Sequence, residues 1–186
     1  MEEIIAIAKQ YIQPSFDMEQ TKKKLCSSVM KGEWREVLKI YRGAEVQAAG
    51  ITFSKETALH MAIYENKEEI VEKLVQQIDR KTDVIQSTDN KGNTPLHLAA
   101  KLGSCKMCEC IASKSFGLIS CRNNDGETPM FLAALHGKKD AFVLLYLICC
   151  LEENIRSSDD DRLYTYGRRK DGRTVLHCAI DGEYFV

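Results

Sequence analysis

Eight cysteines, four histidines and several close groups of carboxylates are the side chains of this 186-residue chain that could do chemistry. Cys105, Cys108 and Cys110, with Cys121 downstream, form the tightest set of soft ligands, a spacing that suits one half of a zinc site. No second close pair follows, and no histidine is spaced to complete a tetrahedral set, so metal is not expected. Small buried hydrophobes and a few surface thiols account for the cysteines better. The triplet Asp159-Asp160-Asp161 lacks the D-x-[DN]-x-[DN]-G spacing of a calcium loop. His60, His97 and His177 recur at intervals instead of converging, and His177-Cys178 sends its two side chains to different faces of a helix. Phosphate-binding loop, nucleophile elbow and dinucleotide fingerprint are all missing from the sequence. Function has to be argued from a site, and none of these groups makes one, so neither catalysis nor a cofactor is expected.

The bulk numbers remove further classes. Lys and Arg total 26 against 27 Asp and Glu, a net charge of −1, which gives no footprint for nucleic acid. The start Met1-Glu2-Glu3 is acidic where a secretory leader would be basic. The longest apolar run, 141–151, is too short for a membrane span of about 20 residues. The expectation is a cytoplasmic chain whose thiols stay reduced.

The histidines recur because the elements that carry them recur. Four stretches begin alike: Lys55-Glu56-Thr57-Ala58-Leu59-His60-Met61-Ala62, Gly92-Asn93-Thr94-Pro95-Leu96-His97-Leu98-Ala99, Gly126-Glu127-Thr128-Pro129-Met130-Phe131-Leu132-Ala133 and Gly172-Arg173-Thr174-Val175-Leu176-His177-Cys178-Ala179. Their threonines lie 37, 34 and 46 residues apart. A unit of roughly 33 residues opening T-P-L-H-x-A resembles the ankyrin-repeat family. That resemblance implies an all-α solenoid of stacked helix–turn–helix units with turn or hairpin loops. About five repeats are expected, including a degenerate first and an incomplete last. It also implies that the shared histidine braces the turns by hydrogen bonding; Phe131 in that slot weakens the brace locally and adds apolar contact.

The residues of one unit read as physics beside that resemblance. Asp89-Asn90-Lys91-Gly92 and Asn123-Asn124-Asp125-Gly126 are turn sequences with glycine placed where φ is positive. Thr94 and Thr128 cap a helix through the side-chain oxygen, and Pro95 and Pro129 take the first helical position, where a missing N–H costs nothing. The pairs Ala99-Ala100 and Ala133-Ala134 allow inner helices to approach closely. Gly103 and Gly137 end those helices. An outer helix follows, with the stripe Ile70, Val71, Leu74, Val75 and Ile78 in the first full unit. In the third, 141–151 is apolar nearly all round, which implies burial on more than one side.

These signals divide the chain into an extension or cap over 1–20, a degenerate capping repeat over 21–51, repeats over 52–88, 89–122 and 123–151, a charged insertion over 152–169 and an incomplete repeat over 170–186. In the degenerate unit Leu25 to Gly32 mirrors Leu96 to Gly103, and Thr21-Lys22-Lys23-Lys24 replaces turn and cap with polar residues. A short helix over 2–12, bearing Ile4, Ile7, Ala8 and Tyr11, is expected to cover that end. The first full unit lacks the turn glycine, with Lys55 in its place, so a different turn is expected there, with Phe53 projecting. Extra residues near Asp79-Arg80-Lys81-Thr82-Asp83 lengthen that unit. The insertion, with Tyr164 and Tyr166 between acidic and basic clusters, reads as a solvated loop, with a binding face as the other reading.

The stretch Gly172 to Phe185 and the long linker before it resemble the plant ankyrin–transmembrane family. Its members join amino-terminal repeats to a membrane domain with a Pro-Gly-Gly motif and are associated with defence, cell-death control and salt responses. The resemblance implies an alternative, the cytosolic part of a membrane-anchored plant signalling protein at the plasma membrane. This sequence contains neither Pro-Gly-Gly nor a membrane span.

The ankyrin resemblance implies a scaffold that binds protein partners along turn tips and the exposed side of inner helices. Carried onto this chain, those positions are Phe53, Glu56, Tyr64 and Glu65; Asn90, Lys91, Asn93, Lys101 and Leu102; Asn124, Asp125, Glu127, Leu135 and His136; and Lys170, Asp171, Arg173 and Asp181. Two rows step one repeat at a time, Tyr64–Lys101–Leu135 and Glu65–Leu102–His136. Their apolar members serve either as partner contacts or as packing between inner helices. Self-association through apolar surface at the carboxyl end is a further expectation.

Overall fold

A computed structural model describes residues 18–79, 82–156 and 166–182. The expected helix over 2–12, the residues Arg80 and Lys81, and Asp159 to Tyr164 of the insertion lie outside the described residues.

Helices alternate with sharp reversals along the chain. They are α1 (18–30), α2 (Trp34–Ile40), the short α3 (Ala44–Gln47), α4 (Ala58–Tyr64), α5 (Glu68–Gln77), α6 (Pro95–Leu102), α7 (Cys105–Lys114), α8 (Pro129–Leu135), α9 (Lys139–Arg156) and α10 (Val175–Asp181). Three-residue-per-turn segments at Asp83–Gln86 and Phe116–Ser120 lead from an outer helix toward the next turn. The inner helices α4, α6, α8 and α10 stack in one row and the outer helices α2, α5, α7 and α9 in another. Within a unit the pairs α4–α5, α6–α7 and α8–α9 pack against each other. The result is the helical repeat solenoid that the sequence implies.

The inner helices are held together by what their sequences bury. Leu59, Leu96 and Met130 hold one equivalent position and are at most 2% exposed, and Ala62, Ala99 and Ala133 hold another at 0%. Alanine there lets neighbouring backbones approach, which a longer side chain would prevent. The outer helices contribute Val71, Leu74, Val75, Met107, Cys108, Ile111 and Ala112 to the same core. In the degenerate first unit Leu25, Val29 and Val37 do so. Thr21 to Lys24 of that unit are not a turn but lie within α1.

Two expectations are corrected. Lys55 adopts φ +60°, the left-handed region that Gly92, Gly126 and Gly172 adopt at φ +77°, +80° and +89°. The first turn therefore keeps the common form, closing through Lys55 N–H to Thr52 O at 3.0 Å as Gly92 N–H closes to Asp89 O at 2.9 Å. Thr52 Oγ1 supplies what sequence pattern alone did not reveal: it accepts from Glu56 N–H at 3.2 Å, the place of Asp89 Oδ1 in the second turn. The expectation that Phe53 projects stands, since the ring is fully exposed.

The second correction concerns α9. It buries Ala141, Leu145 and Cys149 on one side, while Val143, Tyr146, Leu147 and Leu151 are exposed. Its apolar residues therefore do not report burial all round. The helix also runs to Arg156, into the stretch 152–169 expected as the insertion.

Candidate protein-binding surface

Each turn and helix start is built from a few local bonds that fix where the exposed side chains stand. In the second unit Asp89 Oδ1 accepts from Lys91 N–H and Asn93 N–H, both at 2.8 Å; Asn123 Oδ1 does the same for Asp125 and Glu127 at 3.1 and 2.9 Å. An Asx side chain that mimics a backbone turn produces this geometry. Gly92 is required twice over. Its φ is positive, and a Cβ there would come within 2.9 Å of Asn124 N.

Consecutive turns are joined into a ladder. Asn90 N–H donates to Ser54 O at 2.8 Å and the Asn90 amide donates to Phe53 O at 2.9 Å. Asn124 repeats both bonds onto the second turn, to Lys91 O at 2.9 Å and Asn90 O at 3.0 Å. Beneath the tips a polar chain crosses the units. Asn93 donates to Asp89 at 3.1 Å, Asn123 donates to Asn93 at 3.0 Å and to Glu127 at 2.9 Å, and Arg169 pairs with Glu127 at 3.1 Å and with Asp171 at 3.0 Å. Nothing in residue spacing announces this chain; the Asp and Asn placed three residues before each turn glycine were its one visible signal.

The histidines sit behind the turns. His60 Nδ1 accepts from Thr57 N–H at 3.2 Å and His97 Nδ1 from Thr94 N–H at 3.1 Å. A backbone N–H can only donate, so these Nδ1 atoms carry lone pairs and Nε2 carries the proton. His60 Nε2–H then donates to Asn93 O at 3.3 Å and His97 Nε2–H to Glu127 O at 3.1 Å, each reaching the following turn. Burial pushes the His97 pKa down to about 4 and lowers that of His60, with the carbonyl bond to the next turn opposing each shift. His177 Nδ1 accepts from Thr174 N–H at 3.2 Å, but the ring is exposed. Where Phe131 replaces the histidine, Thr128 Oγ1–H donates instead to Tyr166 O at 2.7 Å while accepting from Phe131 N–H at 3.1 Å. The link between units survives through a different atom.

These braces hold the residues expected to meet a partner, and the residues differ in what they have left to offer. Phe53, Lys91, Lys101, Asp125, His136, Lys170 and Asp171 are exposed. Tyr64 is about half exposed at 49% and Leu102 is 36% exposed, whereas Leu135 is half-buried. Tyr64 lies against Glu56, and burial together with the Glu56 and Asp89 carboxylates raises its hydroxyl to about 12. Glu56 also accepts from the Thr52 hydroxyl at 2.6 Å. Glu65 accepts from Trp34 Nε1–H at 3.0 Å, and Arg173 pairs with Asp181. Asn90 and Asn124 are exposed but spend their amides on the ladder. Asn93 and Glu127 are buried in the polar chain.

Among the described residues no three His, Cys, Asp or Glu side chains converge as a metal site. Cys108 is fully buried, its thiol raised to about 12 by burial, and Cys121 Sγ–H donates to Gly117 O at 3.4 Å. All eight cysteines are free thiols. No described helix is long and apolar enough to cross a membrane.

Stacked helix pairs with a hydrogen-bonded ladder of turns define a helical repeat protein that presents an extended surface. The pattern described as Ankyrin repeats (3 copies) matches residues 25–118 of the 186. The chain belongs to the ankyrin-repeat family. It is similar to alpha-latrotoxin-Lh1a of Latrodectus hasselti, 30% identical over 76% of this chain and 9% of the toxin. It is also similar to the nuclear factor NF-kappa-B p105 subunit of Gallus gallus, 29% identical over 69% of this chain and 12% of that protein. A third relative is the probable 26S proteasome regulatory subunit p28 of Saccharomyces cerevisiae, 30% identical over 51% of this chain and 40% of that protein. The chain thus matches less than half the length of each of these relatives.

Proposed function

We propose that this chain is a non-catalytic scaffold that binds a protein partner along its turn tips and the exposed ends of its inner helices. The observation that carries this reading is the row Phe53, Tyr64, Lys101, Leu102 and His136. These side chains stand in or partly in solvent, Phe53 at the first turn tip, Tyr64 and Lys101 at one equivalent place of successive units and Leu102 and His136 at another. The braces and ladder do not use them, apart from the Tyr64 contact with Glu56. Exposed aromatic and aliphatic groups of this kind act as interface anchors. Two of the relatives are named as subunits, which fits a protein whose surface serves assembly. A cytoplasmic location follows from the same reading.

The test is alanine replacement of Tyr64, Leu102 and Leu135 in the full chain, measured against a purified partner by calorimetry and by thermal melting. Affinity falling about tenfold or more per anchor at unchanged Tm supports the surface. A lower Tm with no selective loss of binding would mean that these residues pack the array instead.

The apolar stripe of α9 is a second contact surface in this proposal, through which copies of the chain self-associate. Val143 and Leu147 occupy places that hold Glu72 and Gln76 in α5, and Glu109 and Ser113 in α7. The narrower alternative, the cytosolic part of a membrane-anchored plant signalling protein, rests on the style of the last unit and the linker before it. The size and membrane fractionation of the endogenous protein test it: a band near 21 kDa in the soluble fraction would sink it.

A further inference from the structure

The tip of the first turn breaks a rule that the next two tips obey. Asn90 and Asn124 each send two bonds back to the turn before, one from the backbone N–H and one from the side-chain amide. Phe53 holds the corresponding place in the first turn. No equivalent turn precedes it among the described residues, since 18–30 is helix. An asparagine there would have nothing to hold among the described residues, and the Phe53 N–H, alone of the three, has no acceptor among them. The array therefore makes no demand on this position, yet it carries a large apolar ring that stands wholly in solvent. Two residues on, Lys55 keeps the tip in shape at φ +60°, a conformation unfavourable for any side chain other than glycine's. With the tip so shaped, a wholly exposed ring that has no structural task is placed to meet a surface outside the chain.

The surroundings define what would fit. Lys55, in the same tip, and Lys91, which follows the asparagine whose amide bonds Phe53 O, are both exposed. Glu56, the carboxylate of the same turn, is already engaged by the Thr52 hydroxyl and by Tyr64. Tyr64 and Leu102, the other exposed apolar groups of this surface, sit at the far ends of α4 and α6, about 10 Å along a seven-residue helix. A lone ring gains little on a flat surface and most in an enclosing pocket. A bilayer is disfavoured, because hydrocarbon would leave the Phe53 N–H without an acceptor.

We propose that Phe53 is the anchor that a protein partner takes into an apolar pocket rimmed by carboxylates, with Lys55 and Lys91 meeting the rim and the Phe53 N–H donating to a partner carbonyl. This rests on the reading of the chain as a protein-interaction module.

The recognition chemistry is tested on the full chain labelled with fluorophenylalanine, by fluorine NMR. The probe is carboxymethyl-β-cyclodextrin, an apolar cavity with carboxylates at its rim, compared with neutral β-cyclodextrin and with phosphatidylcholine vesicles containing phosphatidylserine. The resonance that disappears in Phe53→Leu is expected to shift saturably with the carboxylated host and several-fold less readily with the neutral one. Lys55→Gly with Lys91→Ala should abolish that preference. Phe116, also exposed, is the internal reference. Equal responses of Phe53 and Phe116, no preference for the carboxylated host, or a response to vesicles alone would each overturn the proposal.

The partner itself is tested with the full chain in which Phe53, or separately Tyr64, is replaced by photoreactive p-benzoylphenylalanine. An adduct from position 53 that maps to apolar residues beside Asp or Glu on a partner also joined from position 64 supports the anchor. A partner joined from 64 and never from 53 defeats the anchor and leaves the interaction module standing. No adduct from either position defeats both. Phe53→Asn is expected to leave the Tm unchanged, so loss of folding does not confound the result.

Discussion

Protonating His97 would place a second N–H against the Thr94 N–H from which its Nδ1 now accepts, inside a fully buried site. The neutral ring is therefore the folded form, and the folded pKa of about 4 lies below the ordinary value of 6.5. The unfolded chain binds this proton first. The stability owed to a neutral His97 is complete above about pH 6.5 and is lost as the pH falls from there toward 4, by roughly 3 kcal/mol. His60 shifts in the same direction, so its loss adds over the same side of the curve. Urea midpoints between pH 7 and 4 should fall accordingly. His97→Ala should cost about 2–4 kcal/mol at pH 7 and flatten that fall, since it orphans Glu127 O and the Thr94 N–H. Lys55 gives the opposite case. Glycine relieves its left-handed backbone, worth about 1–2 kcal/mol, against an entropic cost of about 0.4–1 kcal/mol. Lys55→Gly is thus expected to stabilise by up to about 1 kcal/mol, whereas Gly92→Ala destabilises by about 1–2 kcal/mol or more because it also strikes Asn124. Chemical denaturation of both variants checks the contrast; two changes of one sign would mean the turns are not alike.

At the level of elements, what sequence reveals is what a residue does locally. Thr94-Pro95 and Thr128-Pro129 announce helix starts because capping and a missing N–H are properties of those residues themselves. Gly103, at φ +91°, announces a helix end for the same reason. Lys55 misled because its turn is imposed from outside, by Thr52 beneath it and by the Asn90 bonds to its tip. The histidine brace was legible from the family resemblance, and its replacement by the Thr128 hydroxyl was not, because Tyr166 lies 38 residues further on. On the candidate surface Asn90 and Asn124 look like free tips until the ladder is seen, and Asn93 and Glu127 look free until the polar chain is. Helix α9 misled by composition. Periodicity cannot separate buried from exposed positions when every position is apolar. Val143→Glu with Leu147→Gln, the residues of α5, should therefore leave stability within about 0.5 kcal/mol. The same double variant should weaken any concentration-dependent association seen by sedimentation at micromolar concentrations. A wild-type chain that stays strictly monomeric would remove this surface from the proposal.

For the molecule as a whole, each unit touches only its neighbours, so stability is set unit by unit and junction by junction. The junctions of α4 with α6 and of α6 with α8 each combine a histidine brace with ladder bonds, and the second adds the Asn123–Asn93 link of the polar chain. The junction to the last unit relies on Thr128 with Tyr166 and on Arg169 with Glu127. Leu176 of that unit is 64% exposed where Leu59 and Leu96 are 1% and 0% exposed, so among the described residues its inner helix is covered on the α8 side. Amide exchange should be fastest in α10, slowest in α6, and graded between them. Arg169→Ala leaves the buried Glu127 carboxyl without its ion-pair partner, and should raise exchange in α10 and α8 at least tenfold while sparing α4. A uniform rise along the chain would show that the array unfolds as one block.

The bonds between turns also have a direction in time. The asparagine rungs run backward, so each new turn leaving the ribosome finds its acceptors already made. The histidines reach forward, to Asn93 O and Glu127 O in turns that have not yet been synthesised. At about 5–20 residues per second, each imidazole waits roughly 2–7 seconds, wet and free to take a proton, until the next unit arrives to enclose it. The nascent array is therefore always one unit less finished than its length suggests, with its newest histidine open to the surroundings.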